Sequence, residues 1–288
     1  FKQKTAYEIY QCDWSSDVCS SDLDYLGDTI SDIAHAKAGI IKPNTTAVIA
    51  QQVDAASDVL LRCCEEVDAV IAVEGKQFGV RQRSVAMGGQ VLELQGLHNV
   101  YDEVLLPLYG AHQASNASVA LAAVEAFFGS QRPLPSDIVR LGFGNAASPG
   151  RLEVVRRGPT VIVDAAHNPH GAAVLSSALA ESFAFEYIVG VVSVMGDKDV
   201  MGVLEALGPV FDEVVVTHNG SQRAMAAVDL LQLAESVFPP DRVHLAPDMP
   251  SALDLAIARA DDLGASSVGI VVTGSVLTAA AARALLGG

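Results

Sequence analysis

The second half of the chain alternates short, strongly apolar runs with helical segments, and this alternation limits the fold more than any other feature. The runs are rich in Val and Ile, and helix-length segments separate most of them. Continuous apolar runs of this kind are typical of parallel strands that helices bury on both faces. The pattern therefore predicts an α/β unit with a doubly wound, mostly parallel sheet. The predicted strands are residues 152–155, 160–163, 187–192, 213–217 and 267–273.

Residues 24–147 have a mixed pattern that predicts a separate unit. Apolar runs from 46 and 68, with a helical segment between them, predict parallel pairing. Residues 77–108 change to short alternating pieces, which predicts a small antiparallel sheet, and an Ala-rich helix is predicted from Ala111 to Phe128. The small, Gly-marked segment 141–150 is predicted to be unstructured and to mark the boundary with a second domain, 148–288.

The first 23 residues differ from everything that follows. They contain the only Trp of the chain and two of its four Cys, and they have no sustained helix or strand period. We interpret residues 1–23 as a foreign or disordered leader that resembles translated sequencing-adapter read-through. The alternative is a genuine N-terminal arm. The fold prediction leaves this segment out.

Charge and composition exclude several functions. The chain has 18 Lys and Arg against 34 Asp and Glu, which gives a formal net charge of −16. A nucleic-acid partner is not expected, because phosphate-backbone binding needs a basic surface. A membrane partner is not expected either, because Gly269, Gly274 and Arg283 interrupt the most apolar stretch. Cys63 and Cys64 are adjacent and match no zinc spacing, so we expect reduced thiols.

One polar motif lies where such a fold binds its ligands. The predicted strand 160–163 ends in DAAHNPH, residues 164–170, just before a predicted helix. Ligands of open α/β sheets bind beyond the carboxyl ends of the strands, so Asp164 and His167 are candidate binding residues. The alternative is a capped turn, in which Asp164 or Asn168 accepts hydrogen bonds from backbone N–H groups. The motif alone leaves both interpretations open.

The linker into the second unit carries a further candidate. Arg151 ends the segment SPGR, residues 148–151. An arginine at a domain hinge can swing onto a phosphate held by the other domain, although a solvated surface arginine fits the pattern equally well. The nearby GFGNAA, residues 142–147, superficially matches a dinucleotide fingerprint. It follows no predicted strand and opens no predicted helix, so it is rejected.

Three other segments have ordinary explanations when each is taken singly. LYGAHQASNA, residues 108–117, contains Gln113 and Asn116 and fits a helix start, where a polar ligand edge would be favoured. AHAKAGIIKP, residues 34–43, places Lys37 at a basic helix end. MGDKD, residues 195–199, fits a charged, solvated turn.

Taken together, the five motifs resemble the folylpolyglutamate synthase/dihydrofolate synthase family of the Mur ligase superfamily. YLGDTISDIAHAKAGIIKP, LYGAHQASNA, SPGRLEVV, VIVDAAHNPHGA and MGDKD occur in that order from residue 25 onward. The resemblance implies the rear part of a P-loop-type (Mur ligase central) domain at 24–147. A Rossmann-like glutamate ligase domain would follow at 148–288. It also implies an ATP- and Mg²⁺-dependent ligase that adds L-glutamate to dihydropteroate or to a tetrahydrofolate (poly)glutamate through an acyl phosphate.

The resemblance implies a role for each motif. Gln113 and Asn116 would approach the nucleotide, Arg151 would meet its phosphates, and Asp164 and His167 would hold its ribose and phosphate side. Lys37 matches a lysine that the family carbamylates, which would let it ligate Mg²⁺ and make it catalytic together with Arg151 and His167. The turn residues Asp197, Lys198 and Asp199 would face the substrate. The resemblance further implies a cytoplasmic monomer that binds only small molecules.

The chain also departs from the family pattern. Ala36 replaces the family's Glu before the modified lysine, and Asp22 stands where the family has a metal-binding His. No G-x-x-x-x-G-K-[ST] phosphate loop occurs in the chain, so we expect little activity from this polypeptide alone. Two alternatives stay open. One is another Mur-type amino-acid ligase acting on cell-wall precursors, and the other is a non-catalytic nucleotide- or folate-binding domain.

Overall fold

A computed structural model describes residues 29–129, 133–263 and 267–287. The interpretation of residues 1–23 therefore lies outside the described part of the chain. The described residues form two units, which a segment from Asn145 to Gly150 connects. Helices are numbered α1–α9 and strands β1–β11 in chain order.

The second unit is built on a six-stranded sheet with the order β10-β9-β8-β11-β7-β6. All neighbouring strands are parallel except β6, which is antiparallel to β7. The predicted doubly wound, mostly parallel sheet is confirmed. The strands are β6 Glu153–Arg157, β7 Thr160–Val163, β8 Tyr187–Val192, β9 Glu213–Val216, β10 Val243–Leu245 and β11 Val268–Thr273.

Helices cover both faces of this sheet because its strands are apolar on both sides. Along β7, Ile162 faces one helix layer, whereas Val161 and Val163 face the other. Such continuous burial explains why β7, β8, β9 and β11 consist mostly of Val and Ile. The first layer is α5 Pro169–Ser182, α6 Val200–Leu207 and α7 Ala227–Ala234, and the second is α8 Met249–Asp262 and α9 Val276–Leu286.

The order of the strands creates a switch point at β11. β11 is the last strand of this sheet in chain order, yet it lies between β7 and β8. The helix that follows β11 packs on one face, while the helices that follow β7 and β8 pack on the other. The connections that leave the carboxyl ends of β11 and of its neighbours therefore run to opposite faces of the sheet. Open α/β sheets bind ligands at such a point.

The first unit begins with a helix and two parallel strands, as predicted. A capping box starts α1 Ile30–Ala38, in which Thr29 Oγ1 accepts from the Asp32 N–H and Asp32 Oδ2 accepts from the Thr29 N–H. β1 Thr46–Ile49 and β2 Val70–Val73 pair in parallel, with α2 Asp54–Glu66 between them in the chain.

An antiparallel meander and two helices complete this unit. It contains β3 Gly79–Ala86, β4 Gly89–Gln95, β5 Val100–Leu106, α3 Ala111–Phe128 and α4 Ser136–Gly144. The prediction that residues 141–150 lack structure was wrong for the first four of them, since α4 continues to Gly144. Val139 and Phe143 of this helix pack into the core beneath β4 and β5, which stabilises the helix in spite of its two glycines.

The two units contact each other along α5. Arg83 of β3 forms an ion pair with Glu181 near the end of α5. The ring of Tyr109, just before α3, lies 4.8 Å from the ring of Phe183. Gly110 approaches the same helix so closely that a Cβ at this position would lie 3.1 Å from the Ala178 side chain.

Candidate active site

Asp164 joins the end of β7 to the linker that enters the second unit. The residue is 8% exposed, and its carboxylate accepts hydrogen bonds from the backbone N–H groups of Leu152 (2.9 Å) and Ala166 (2.8 Å). Burial raises the pKa of Asp164, while these two bonds and the positive charges of Arg151 and His167 act in the opposite direction. The capped-turn interpretation is therefore correct for Asp164, and the same contacts bring it close to the other two candidates.

His167 is held with one ring nitrogen unused by the turn. Its Nδ1 lies 3.0 Å from the carbonyl oxygen of Ala165. A carbonyl oxygen can only accept, so Nδ1 carries the hydrogen in the neutral ring and Nε2 remains an acceptor. Asn168 follows as the N-cap of α5, and its Oδ1 accepts from the Gly171 N–H at 2.7 Å. The turn thus combines structural caps with a half-exposed imidazole.

Arg151 reaches the same place from the linker. The turn at 148–151 is closed by a bond from the Arg151 N–H to the Ser148 carbonyl, 3.1 Å. The Ala165 N–H donates to the Gly150 carbonyl at 2.9 Å, which ties this turn to the end of β7. The structure therefore places Arg151, Asp164 and His167 around one strand end, two of them able to carry positive charge.

The MGDKD segment forms a turn beside the start of α5. Asp199 caps α6 by accepting from the Gly202 N–H at 3.0 Å. Gly202 lies so near α5 that a Cβ would be 2.7 Å from Pro169. Partial burial raises the pKa of Asp197, but its hydrogen bond with Arg223 (2.7 Å) outweighs this effect, and the pKa lies below its ordinary value. Asp197 and Asp199 thus have structural partners, and Lys198 stands between them at the edge of the site.

A polar network at the carboxyl ends of β8, β9 and β11 was not predicted. Asn219 Nδ2 donates to Ser275 Oγ (3.1 Å) and to Thr278 Oγ1 (3.0 Å), and Thr278 Oγ1 donates to the Ser193 carbonyl (2.7 Å). Ser275 is the N-cap of α9. The Gly-Ser pair directly after the predicted strand 267–273 was a usable signal for this cap. Asn219 gave none, because its partners are 56 and 59 positions away.

The remaining candidates lie in the first unit. Gln113 is almost fully buried in α3, and Asn116 donates to its Oε1 over 3.4 Å, so these bonds stay within the helix. The start of α3 contacts α5 at Ala178, ten residues after the cap Asn168, which is about 15 Å along a helix. The bond between Asn116 and Gln113 therefore does not connect α3 to the 164–168 turn. Lys37 lies in the last turn of α1, which packs against α2.

Metal binding and membrane insertion find no support in the described residues. Across 29–129, 133–263 and 267–287, no group of three or more His, Cys, Asp or Glu side chains is arranged to hold a metal ion. In the same part of the chain, every helix is too short or too polar to cross a membrane. The described side chains therefore do not by themselves form the Mg²⁺ site that the resemblance implies.

Known proteins share both the sequence and the fold. Residues 150–276 match the family "Mur ligase, glutamate ligase domain". The dihydrofolate synthase/folylpolyglutamate synthase of Mycobacterium tuberculosis is 52% identical over 282 residues, covering 92% of this chain and 58% of the relative. That of Bacillus subtilis is 29% identical over 214 residues, covering 74% and 50% of the two chains.

Two solved structures give the same result. Folylpolyglutamate synthase of M. tuberculosis complexed with ADP superimposes with a TM-score of 0.89 at 51% identity, covering 95% of this chain and 62% of that one. Escherichia coli FolC in complex with DHPP and ADP gives 0.76 at 25% identity, covering 94% and 59%. The chain thus spans between half and about three fifths of these relatives, and over that length it shares its sequence and fold with the folylpolyglutamate synthases/dihydrofolate synthases of the Mur ligase type.

Proposed function

We propose that this chain carries the nucleotide-facing helix and the glutamate ligase domain of an ATP-dependent ligase. The enzyme would join L-glutamate to dihydropteroate or to a tetrahydrofolate (poly)glutamate. The observation that supports this most directly is the grouping of Arg151, Asp164 and His167 at the carboxyl end of β7, beside the switch point. The similar structures support the same reaction class, because the M. tuberculosis folylpolyglutamate synthase was solved with ADP and E. coli FolC with DHPP and ADP.

The geometry suggests how the chain's own residues act on the nucleotide. ATP, a substrate here, would transfer its γ-phosphoryl group to a carboxylate and leave as ADP. The amino group of glutamate would then displace phosphate from the resulting acyl phosphate. Arg151 presents a guanidinium from the linker and can bind phosphate oxygens in bidentate fashion. His167 offers Nε2, which can accept a hydrogen bond from a hydroxyl group when the ring is neutral. Asp164 positions both by fixing the linker turn and the 164–168 turn in one place.

The acceptor amino acid would lie on the other side of the same edge. Lys198 adds a cation between the start of α5 and the start of α6, and a substrate carboxylate is the group such a cation binds. Asp197 and Asp199 would act through the turn that carries Lys198, because their own carboxylates are engaged. Gln113 and Asn116 would approach the nucleotide from α3.

Lys37 is the one residue of this chain that we propose as a ligand of Mg²⁺. A carbamylated Lys37 would be an anion with oxygen ligands suited to Mg²⁺. The described side chains provide no completed metal cluster around it, so we assign no catalytic step to the ion. Mass spectrometry of the intact chain at raised CO₂, compared with Lys37→Met, would reveal a carbamate as an added mass that the variant lacks.

Nucleotide binding can be tested on the chain itself. Isothermal titration with ADP should saturate, and His167→Ala and Arg151→Gln should each weaken binding about tenfold, the loss expected for one charge-assisted contact. His98→Ala, which alters an exposed histidine in the β4–β5 turn, is the matched control and should bind as the parent does. Equal affinity of the parent and both site variants would refute the assignment of the site.

The reaction needs a phosphate loop, which this sequence lacks. We therefore suggest joining residues 24–288 to the upstream part of the M. tuberculosis relative and measuring ADP release. Release that requires both L-glutamate and dihydropteroate or tetrahydrofolate supports the folate branch. Release that instead requires a cell-wall precursor supports the rival Mur-type ligase. Saturable ADP or folate binding without any turnover of the joined protein supports the non-catalytic binding domain.

A further inference from the structure

A buried glutamine binds the loop that starts α3. Gln90 of β4 is only 1% exposed. Its Nε2 donates to the carbonyl oxygens of Leu108 (2.9 Å) and Gly110 (3.1 Å), and its Oε1 accepts from Arg83 Nη1 (3.2 Å). Both ends of this side-chain amide are therefore engaged. The loop at 108–110 leads directly into α3, which carries Gln113 and Asn116.

Arg83 extends this contact to the second unit. Its Nη2 donates to Glu181 Oε1, while the Arg83 side chain is 19% exposed and that of Glu181 is 38% exposed. Partial burial makes this pair less screened than a fully exposed ion pair. Glu181 lies in the last turn of α5, whose first turn follows His167 and Asn168. A continuous polar chain thus runs from α5 through Arg83 and Gln90 to the start of α3.

Apolar contacts hold the same loop against α5. The Tyr109 ring packs on Phe183, which itself stacks on Phe185 with 5.3 Å between ring centroids. Gly110 adopts φ +91°, and any side chain at this position would press on Ala178 of α5. These contacts press the loop onto the helix but do not specify its backbone orientation. The bonds from Gln90 to the two carbonyl groups do so.

We propose that Arg83 and Gln90 are positioning residues that set the distance between the two halves of the nucleotide site. Glu181 of α5 anchors Arg83, Arg83 orients Gln90, and Gln90 fixes the loop from which α3 starts. The rigid helix α5 then relates this loop to Arg151, Asp164 and His167 at its other end. This role rests on the proposed function, because it gives Gln113 and Asn116 their place in a site that a nucleotide would bridge.

Hydrogen exchange of the ligand-free chain tests the polar chain without any nucleotide. In Glu181→Ala, peptides that cover residues 108–113 should exchange about threefold faster, the factor expected for a partly exposed ion pair. Peptides from β7 and β8 should not change. The substitution removes a negative charge from a helix C-terminus and adds a good helix former, so α5 itself is not weakened. Any loosening at 108–113 must therefore arise across the interface.

A matched control and a double-mutant cycle make the result specific. Asp102→Ala breaks the ion pair between Asp102 and Arg140, an exposed pair within the first unit, and should leave 108–113 unchanged. Gln90→Leu should speed exchange at 108–113 on its own. Adding Glu181→Ala to Gln90→Leu should then have no further effect there, because the link is already broken.

The two proposals fail in different ways. Unchanged exchange at 108–113 in Glu181→Ala, or full additivity with Gln90→Leu, overturns the positioning role whether or not ADP binds. If the parent binds ADP, Glu181→Ala should weaken binding about threefold, while Asp102→Ala should not change it. An unaltered ADP affinity in Glu181→Ala also overturns the positioning role. A parent that binds no ADP refutes the proposed function and leaves the exchange experiment to decide whether the polar chain exists.

Discussion

Replacing Gly190 by Ala should damage the core of the second unit. Gly190 lies in β8, and a Cβ there would be 2.2 Å from Cδ2 and 2.4 Å from Cε2 of Phe211. Ordinary contact begins at 3.4 Å, so the ring or the strand would have to move by about 1.2 Å, the difference between 3.4 and 2.2. β8 is paired on both sides, with β9 and β11, and Phe211 is buried, so neither can move freely.

We expect this overpacking to cost about 2–3 kcal/mol of unfolding free energy, the upper part of the usual range. For a domain of this size, that corresponds to a decrease of roughly 4–12 °C in Tm. Gly142→Ala is a matched control of opposite sign. Gly142 lies within α4, nothing lies within 4 Å of a Cβ there, and the change should stabilise the protein by about 0.5–1 kcal/mol.

Urea denaturation followed by circular dichroism, together with thermal scans, would measure both changes. Phe211→Leu makes room for the added methyl group, so the double variant should be more stable than the sum of the two single effects by about 1 kcal/mol or more. A Gly190→Ala protein within about 0.5 kcal/mol of the parent would refute the reasoning, as would strict additivity with Phe211→Leu.

Three further predictions concern other sites. Glu213 is fully buried and binds Arg259, His244 and Tyr187. Burial raises its pKa, but Arg259 and His244 outweigh burial and lower the pKa from 4.5. Its stabilising effect is therefore present above about pH 4.5 and is lost as the pH falls through the lower folded-state pKa, so the instability of Glu213→Gln in urea melts should shrink below pH 4.5. Gly110→Ala should cost about 1–3 kcal/mol, because it combines a left-handed φ with contacts to His112 and Ala178, and thermal scans would measure this cost. Asn219→Ala should cost about 1–2 kcal/mol through loss of two hydrogen bonds and should speed hydrogen exchange in the first turn of α9, and unchanged exchange there would contradict the network.

The sequence predicted the elements well where their signal was local. Strands β7 and β8 have the predicted bounds, because each is a single apolar run that lies buried within the sheet along nearly its whole length. β10 was missed, since three residues with a central His carry no periodic signal. The end of α4 was missed because its glycines indicated a linker, while burial of Val139 and Phe143 depends on strands distant in the chain.

The site was predictable in part for the same reason. Asp164, His167 and Asn168 lie in one motif at a strand end, so their shared location followed from the fold. The relation of this turn to α3 could not be predicted, because it depends on contacts such as Arg83 to Glu181, which are 98 positions apart. The resemblance implies that Gln113 and Asn116 approach the nucleotide, and this stays a prediction, because the bond described for them lies within α3.

The place of β11 has a consequence for biosynthesis. Until residue 273 has left the ribosome, β7 and β8 have no strand between them, and each exposes an unpaired edge to the growing chain. The helices after β7, β8 and β9 are made earlier and can cover only one face of the incomplete sheet. A ribosome that stalls within α8 would therefore display two separated half-sheets, a substrate for chaperones rather than a nearly finished domain.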